Sequence, residues 1–392
     1  MNLTPPSGRR CVAYVVNPYP APSHTFVRRE IAGLESAGWS VHRFTHRWHD
    51  GELIEPADIA ERARTTRLTP RPTWTTGTHG RRVGRGTAKG IAAAALAADL
   101  RLHMARLNIR HVHAHFDTAT DTALLATADS TRTFSFTVHG PEEFEQPEAL
   151  RVRVGAAAFV ACISEYTRQR VAGLCPDHAA KLYVIRCGID VDQYEPTPTP
   201  DTDEIVCVGR LVSRKGQGDL IHNLAVVPGW RLRLVGDGPD RGRLEALAKK
   251  LGVTDRVRFV GWANESAVRR HIAECRALVL LSNAEGLPVV LMEALALGRV
   301  ALAYNVGAIG ALLRPPMLLD PGFDIIATAN DDEEEHALRW VLDTSPRELD
   351  ERAVDARRHV LERHDAARNA AALAKLLESA VESAVAPAAR SV

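Results

Sequence analysis

The sequence is short of lysine, of net charge, of paired cysteines and of long apolar runs, and each shortage removes a class of function. Only six of its 49 basic residues are lysines (Lys89, Lys181, Lys215, Lys249, Lys250, Lys375), so each lysine carries more weight as a candidate. Those 49 are offset by 48 acidic residues to a net +1, which leaves no bulk field to hold nucleic acid. The six cysteines (Cys11, Cys162, Cys175, Cys187, Cys207, Cys275) are scattered without a CxxC pair. They read as reduced core residues of a cytoplasmic protein, not as a disulfide framework or a zinc site. The longest mainly apolar stretches, 91–98 and 154–163, fall short of the roughly 18 residues a membrane span needs, and the run 11–16 is too short for a signal-peptide core.

What is present describes a two-domain α/β protein. The chain has 392 residues, 45% hydrophobic and 25% charged, which suits two domains of about 190 residues each. The continuous apolar run 11–16 reads as a buried strand, and further strand candidates recur at 40–45, 111–115, 133–138, 159–163 and 182–185. They continue at 205–208, 231–235, 256–260, 277–281 and 300–304, with helical spacing between most of them. That alternation predicts parallel sheets covered on both faces. The proline-threonine run at 196–201 predicts a linker between domains 1–195 and 202–375. The last helix of the second domain is expected to pack back on the first. Residues 49–90 predict an irregular loop region, and 376–392 a frayed tail.

Candidate chemistry concentrates where strands of the second domain end. Val208-Gly209-Arg210 is followed by Lys215-Gly216, which sets two cations five residues apart in a glycine-flanked turn before a helix. Arginine offers a fork and lysine a point charge for a diphosphate, and the alternative is two solvated cations. The turn Gly236-Asp237-Gly238-Pro239 repeats the strand–glycine–helix arrangement. In 282–294, Pro288 can open a helix, leaving the amides of Gly286, Leu287 and Val290 as donors for a phosphate or a sugar hydroxyl. Glu285 and Glu293, eight residues apart there, can each accept a pair of hydroxyl protons; the alternative makes one a helix-start charge and the other a surface residue.

Taken in order, Gly-Arg-x4-Lys-Gly, Gly-Asp-Gly-Pro and EGLPVVLME resemble retaining family-4 glycosyltransferases of the GT-B fold. YPAPSHTFVRREIAGLESAGWSVHRF, HVHAHF, FTVHG, CISEYTRQRV and VIRCGIDVDQY are similar to the first half of the subgroup that builds bacterial exopolysaccharides. The resemblance implies two Rossmann-like domains with parallel sheets facing across a cleft, and a metal-independent retaining transfer of a sugar from a UDP- or GDP-linked donor. The acceptor would be an oligosaccharide, a lipid-linked saccharide or a natural-product aglycone. No cofactor is expected beyond that co-substrate, and no metal. Arg210 and Lys215 would hold the diphosphate, with Gly238, Gly286, Leu287 and Val290 in the same donor site. Glu285 would bind donor-sugar hydroxyls, Glu293 the ribose, and His139 of the His-Gly element the transferred sugar. His24, Thr25 and His115 would face the acceptor. The chain has Gly298-Arg299-Val300-Ala301-Leu302 where the family usually has Gly-x-Pro-Val-Val, and Gly307-Ala308-Ile309-Gly310-Ala311 where it usually has Gly-Gly-x-Pro-Glu; it also carries His24 where the subgroup often has glutamate.

Other readings stay open at this level. His111, His113 and His115 alternate on one strand and Asp117 continues the pattern, which suggests a metal site of awkward geometry. Asp190-Val191-Asp192 resembles the DxD pair of metal-dependent GT-A enzymes. A sugar-nucleotide epimerase or a non-catalytic saccharide-binding protein would use the same fold. Arg81, Arg82, Arg85 and Lys89 could seat the first domain on an anionic membrane, or form a solvated loop before an ordinary helix.

Overall fold

The computed structural model describes residues 10–71, 88–128, 130–313 and 331–384. The chain divides into two compact units, one made of Met1–Cys187 with Ala366–Val392, the other of Gly188–Asp365.

The first unit is built on a seven-stranded sheet of order β3-β2-β1-β4-β5-β6-β7. Its strands are β1 Cys11–Val16, β2 Ser40–Thr45, β3 Thr65–Arg67, β4 His111–His115, β5 Thr133–Val138, β6 Val160–Cys162 and β7 Leu182–Val184. Every pairing is parallel. Strand alternation sorts the core: Ala13 and Val15 join one apolar cluster, Val12, Tyr14 and Val16 the other. On the second face lie Val27, Ile31 and Leu34 of helix α1 (Thr25–Ser36), together with Leu373, Leu377 and Ala380 of the helix Ala366–Ser383.

Two sequence expectations change here. Residues 49–90 are not loop throughout: α2 spans Pro56–Arg64, β3 follows it, and α3 spans Ala88–Arg106. This segment is fastened by charge, which apolar periodicity does not register. Buried Arg43 reaches Glu35 (2.6 Å) and Glu61 (3.1 Å), Tyr19 donates to Glu61 (2.7 Å), and Arg28 pairs with Asp58 (2.9 Å). The predicted tail is helical through Ser383, because the apolar stripe of Ala366–Ser383 is buried on the first unit. Arg81, Arg82 and Arg85 lie outside the described residues, and Lys89 stands in the first turn of α3. No helix among the described residues is long and apolar enough to cross a membrane.

The second unit has a five-stranded parallel sheet of order β10-β9-β8-β11-β12. Its strands are β8 Glu204–Val208, β9 Arg231–Val235, β10 Val257–Gly261, β11 Ala277–Leu280 and β12 Ala301–Ala303. The unit begins at Gly188, so the proline-threonine run lies inside it. That run is not a free linker. Arg299, fully buried, donates to Thr197 O (2.6 Å), Thr197 Oγ1 (2.8 Å) and Pro198 O (3.0 Å). The same guanidinium also holds Ala273 O (2.7 Å) and Cys275 O (3.1 Å). The arginine thus staples the strap to the Ala273–Cys275 segment that leads into β11.

Candidate functional site

In both sheets the strand order reverses beside the first strand of the unit, between β1 and β4 and between β8 and β11. Ligands of open α/β sheets bind outside the carboxyl ends of strands at such a reversal. The candidate residues collect there.

In the second unit, β8 runs into Gly209-Arg210 and then a tight turn, Ser213–Lys215. Gly216 closes the turn at φ +68°, in the left-handed region, where a Cβ would stand 1.9 Å from the carbonyl oxygen of Leu281. The loop after β8 is thereby pressed against the loop after β11, and the Asn283 amide bonds Arg214 O at 2.9 Å. The result is an ion pair: Lys215 Nζ bonds Glu285 Oε1, with both side chains largely buried. Gly307 lets the backbone close over this pair. At φ +59° its missing Cβ would lie 1.9 Å from Glu285 O, and the Ala308 amide donates to Gly286 O at 3.0 Å. The Gly-to-Ala departure at 308 therefore leaves the close approach at 307 intact.

The other donor-side candidates surround this centre. The side chain of Gln217, buried, donates to Arg210 O (3.0 Å), while Arg210 itself is exposed. The turn carrying Gly238 is tied under the first loop by Leu211 N to Asp237 O (3.0 Å), and Gly238 N bonds Asp237 Oδ1 (2.7 Å). Pro288 caps the helix Val289–Ala296, so amides of its first turn, Val290 included, lack intrahelical acceptors. Leu287 is buried and Gly286 partly so. Glu293 is not a surface residue: it is buried in that helix and accepts the Tyr194 hydroxyl at 2.9 Å. Burial pushes the Cys207 thiol, on the strand below Lys215, up to about 12, so it is no nucleophile at neutral pH.

In the first unit the site is made of rings. His139 follows β5, and its Nε2 lies 2.9 Å from Nδ1 of His115 at the end of β4. Phe116 sets its ring 4.7 Å from both His24, on which it stacks, and His139, against which it is tilted, and holds φ at +71°, a strained value for a phenylalanine. Phe26 lies 5.0 Å from His139. Thr25 begins α1 directly after His24. Burial, reinforced by His115, brings the His24 imidazole down to about 4. Burial likewise lowers His139 well below the ordinary histidine value, with His115 and His24 adding to the effect. Both rings are neutral at physiological pH. Glu143 accepts the amides of His139 (3.1 Å) and Gly140 (2.8 Å) and so shapes the His-Gly turn.

The three histidines of β4 do share a face, and the register explains their partners. His111, His113 and His115 stand opposite Thr133, Ser135 and Thr137 of β5. His111 bridges Thr133 Oγ1 and Ser135 Oγ (both 2.7 Å), and His113 bridges Ser135 Oγ (2.7 Å) and Thr137 Oγ1 (2.9 Å). Glu30, His113 and His115 bring potential ligand atoms within 4.8 Å of one another, but both ring nitrogens of His113 are already bonded to hydroxyls. Asp117 does not continue the strand; it starts the helix Asp117–Thr127 and pairs with Arg153. Asp190 is bonded by Gln193 (2.6 Å) in the short turn Val191–Gln193.

Several neighbours of these candidates escaped the sequence reading. Glu143 had a local signal, a glutamate two residues after Pro141 in the position of a capping box. Phe116, Glu30, Tyr14 and Tyr194 had none, since each acts through a partner distant in the chain.

Comparison with known proteins bears on the family and the fold. Residues 192–360 match the family described as Glycosyl transferases group 1, and residues 23–193 match Glycosyltransferase Family 4. A GDP-mannose-dependent alpha-(1-6)-phosphatidylinositol monomannoside mannosyltransferase of Mycobacterium tuberculosis is 34% identical over 170 residues, 38% of this chain and 44% of that protein. The lipopolysaccharide core biosynthesis glycosyltransferase LpsE of Rhizobium meliloti is 38% identical over 110 residues, 28% of this chain and 32% of that one. The chain thus spans less than half the length of these curated relatives. Anabaena Alr3699/HepE, solved in complex with UDP, superposes with a TM-score of 0.74 at 18% identity, covering 94% of this chain and 99% of that one. Sucrose-phosphate synthase from Thermosynechococcus elongatus gives 0.76 at 18% identity, covering 95% and 99%. With two consecutive family matches spanning 23–360 and that likeness of fold, the chain belongs to the family-4 glycosyltransferases of the GT-B fold.

Proposed function

We propose that the protein is a retaining, metal-independent glycosyltransferase that moves a sugar from a nucleoside-diphosphate sugar to a hydroxyl of a saccharide, lipid-linked saccharide or aglycone acceptor. The observation that carries this reading is the Lys215–Glu285 pair at the strand-order reversal of the second unit. An incoming diphosphate competes with Glu285 for Lys215, and the released carboxylate is then free to accept the hydroxyls of the attached sugar. Arg210 adds its guanidinium, and the amides around Gly286, Leu287 and Val290, with the turn at Gly238, complete the donor site. Glu293 takes the ribose. His139 serves the transferred sugar, with His24, Thr25 and His115 on the acceptor side.

The leaving diphosphate gains charge as the glycosidic bond breaks, so preorganised cations stabilise the transition state more than the ground state. Two cations and helix-start amides supply the charge that a divalent ion would otherwise bring. No side-chain nucleophile enters this scheme: attack occurs on the face the phosphate leaves, and the phosphate helps take the acceptor proton. The mycobacterial relative is named as GDP-mannose-dependent and the Anabaena neighbour was solved with UDP, so both bases belong in the test.

That test is turnover of a panel including GDP-mannose and UDP-glucose, in excess EDTA, by the wild type and three variants. Lys215→Ala is expected to lower kcat by about 10²–10³, the cost of losing one oxyanion donor. Glu293→Ala should weaken binding of free UDP or GDP, whereas Glu285→Ala should leave that binding unchanged and impair only the sugar-bearing donor. An α-linked donor should give an α-linked product by NMR. Near-normal turnover of Lys215→Ala would overturn the phosphate assignment, and consumption of donor with epimerisation alone would overturn transfer.

A further inference from the structure

The polar contacts around His139 do not end at His115. The other ring nitrogen of His115, Nε2, is buried and lies 3.1 Å from Glu30 Oε1 of α1, off the ideal hydrogen-bond line and with no better-placed acceptor. The same carboxylate oxygen accepts the Tyr14 hydroxyl at 2.9 Å. Burial, and after it Glu30, raises the Tyr14 phenol well above its ordinary value, so Tyr14 remains the donor in that contact. Four groups from two strands, a helix and the turn after β5 thus form one line: Tyr14, Glu30, His115, His139.

Proton placement along this line follows from elementary donor and acceptor rules. A neutral imidazole has one N–H and one lone pair. A carboxylate facing Nε2 of His115 favours the proton on that nitrogen, since a lone pair there would point at negative charge. Nδ1 of His115 is then an acceptor, and at 2.9 Å its partner, Nε2 of His139, must donate. His139 is left with a bare Nδ1.

We propose that Glu30, acting through His115, is a positioning residue that fixes His139 as the Nε2–H tautomer and presents its Nδ1 lone pair as an acceptor for a sugar hydroxyl. His139 is only partly buried although its Nε2 is engaged. The ligand class follows from the chemistry: a neutral lone pair between Phe26 and Phe116 suits a hydroxyl on an apolar ring edge and gives no advantage to an anion. The hydroxyl's identity rests on the transferase reading above, but the tautomer does not.

The experiment is a ¹H–¹⁵N correlation spectrum of the full chain labelled in its 16 histidines, with His139 assigned by the missing resonance in His139→Gln. The wild type is expected to show His139 protonated at Nε2 alone. In Glu30→Gln, which keeps the shape and removes the charge, both tautomers should appear. With GDP-mannose and UDP-glucose as donors, the same variant should lose about 10–100-fold in kcat with KM nearly unchanged, by analogy with carboxylates that orient metal-bound imidazoles. A wild-type His139 protonated at Nδ1, whether neutral or facing a doubly protonated His115, overturns the relay without any variant. An unchanged tautomer and kcat in Glu30→Gln overturn the role of Glu30. If His139→Ala turns over like the wild type, the role of His139 toward the sugar fails, while the spectrum still decides the relay.

Discussion

The first unit places imidazoles and rings at the ends of neighbouring strands, His115 at the end of β4 and His139 just after β5, and backs them with a buried file of histidines, threonines and a serine. The second unit places glycines there, and the contact of Lys215 with Glu285 depends on backbone segments pressed within touching distance. On the proposed function the difference matches two chemical demands. A diphosphate asks for many donors at short range, which turns and helix starts supply from backbone amides. A sugar hydroxyl asks for one oriented acceptor, which a held side chain supplies. The first unit is therefore sensitive to proton placement, and the second to bulk.

The sharpest way to break the second half of that contrast is Gly307→Val. The substituent would start 1.9 Å from Glu285 O at a φ of +59°, so either the 305–310 segment or the Glu285 loop must move by more than an ångström. Displacements of that size in a positioned site cost on the order of 10² in rate. We expect kcat/KM to fall by at least about 10²-fold, with a stability loss of about 3–5 kcal/mol in urea unfolding. Wild-type turnover in this variant would show that the backbone approach has no functional weight.

Arg299→Met is the next largest effect and asks whether bulk alone sustains the second unit. Methionine fills much of the volume but abandons five acceptors, among them Thr197 O and Cys275 O. Buried acceptors without donors are costly, whereas burial already lowers the Arg299 pKa, so some of the loss is recovered by removing a buried charge. The expected net loss is about 2–4 kcal/mol, read from the denaturant midpoint. A variant as stable as the wild type would mean that the strap 196–201 holds without its staple.

How much of this was legible in the sequence follows the same division. Cys11–Val16 is a continuous apolar run because both sheet faces are covered, and it can be read directly; Thr133–Val138 alternates hydroxyl with apolar residues and is legible as a strand by that period. Thr65–Arg67 cannot: three polar residues become a strand only by pairing with Arg43–Thr45. Lys215 and Glu285 were each visible as part of a glycine-bounded loop, but their contact across 70 residues was not. The histidine alternation in β4 was plain, whereas the serine and threonines that satisfy it sit on another strand. Tyr194 on Glu293, and Glu30 on His115, follow from tertiary packing and leave no periodic trace.

The smallest expected effect tests the first unit's sensitivity to protons away from the imidazoles. Burial raises the Glu143 carboxyl from 4.5 to about 7, against the opposing pull of the His139 and Gly140 amides. A group with such a raised value carries its proton in the folded state after the unfolded chain has lost it. Between pH 4.5 and 7 the folded protein therefore binds more protons, and stability falls as pH rises through that window. Below it both states are protonated, and above it both are ionised with the full penalty in place. Glu143→Gln cannot ionise and keeps one acceptor oxygen for two amides, so it should be less stable than the wild type at the acid end. The gap should narrow by about 1–2 kcal/mol as pH climbs to neutrality, because only the wild type pays for a buried charge. Urea unfolding of both proteins at several pH values measures it. A gap that is constant with pH would mean that Glu143 is ionised throughout, and that the His-Gly turn is held by a carboxylate whose charge the two amides fully satisfy.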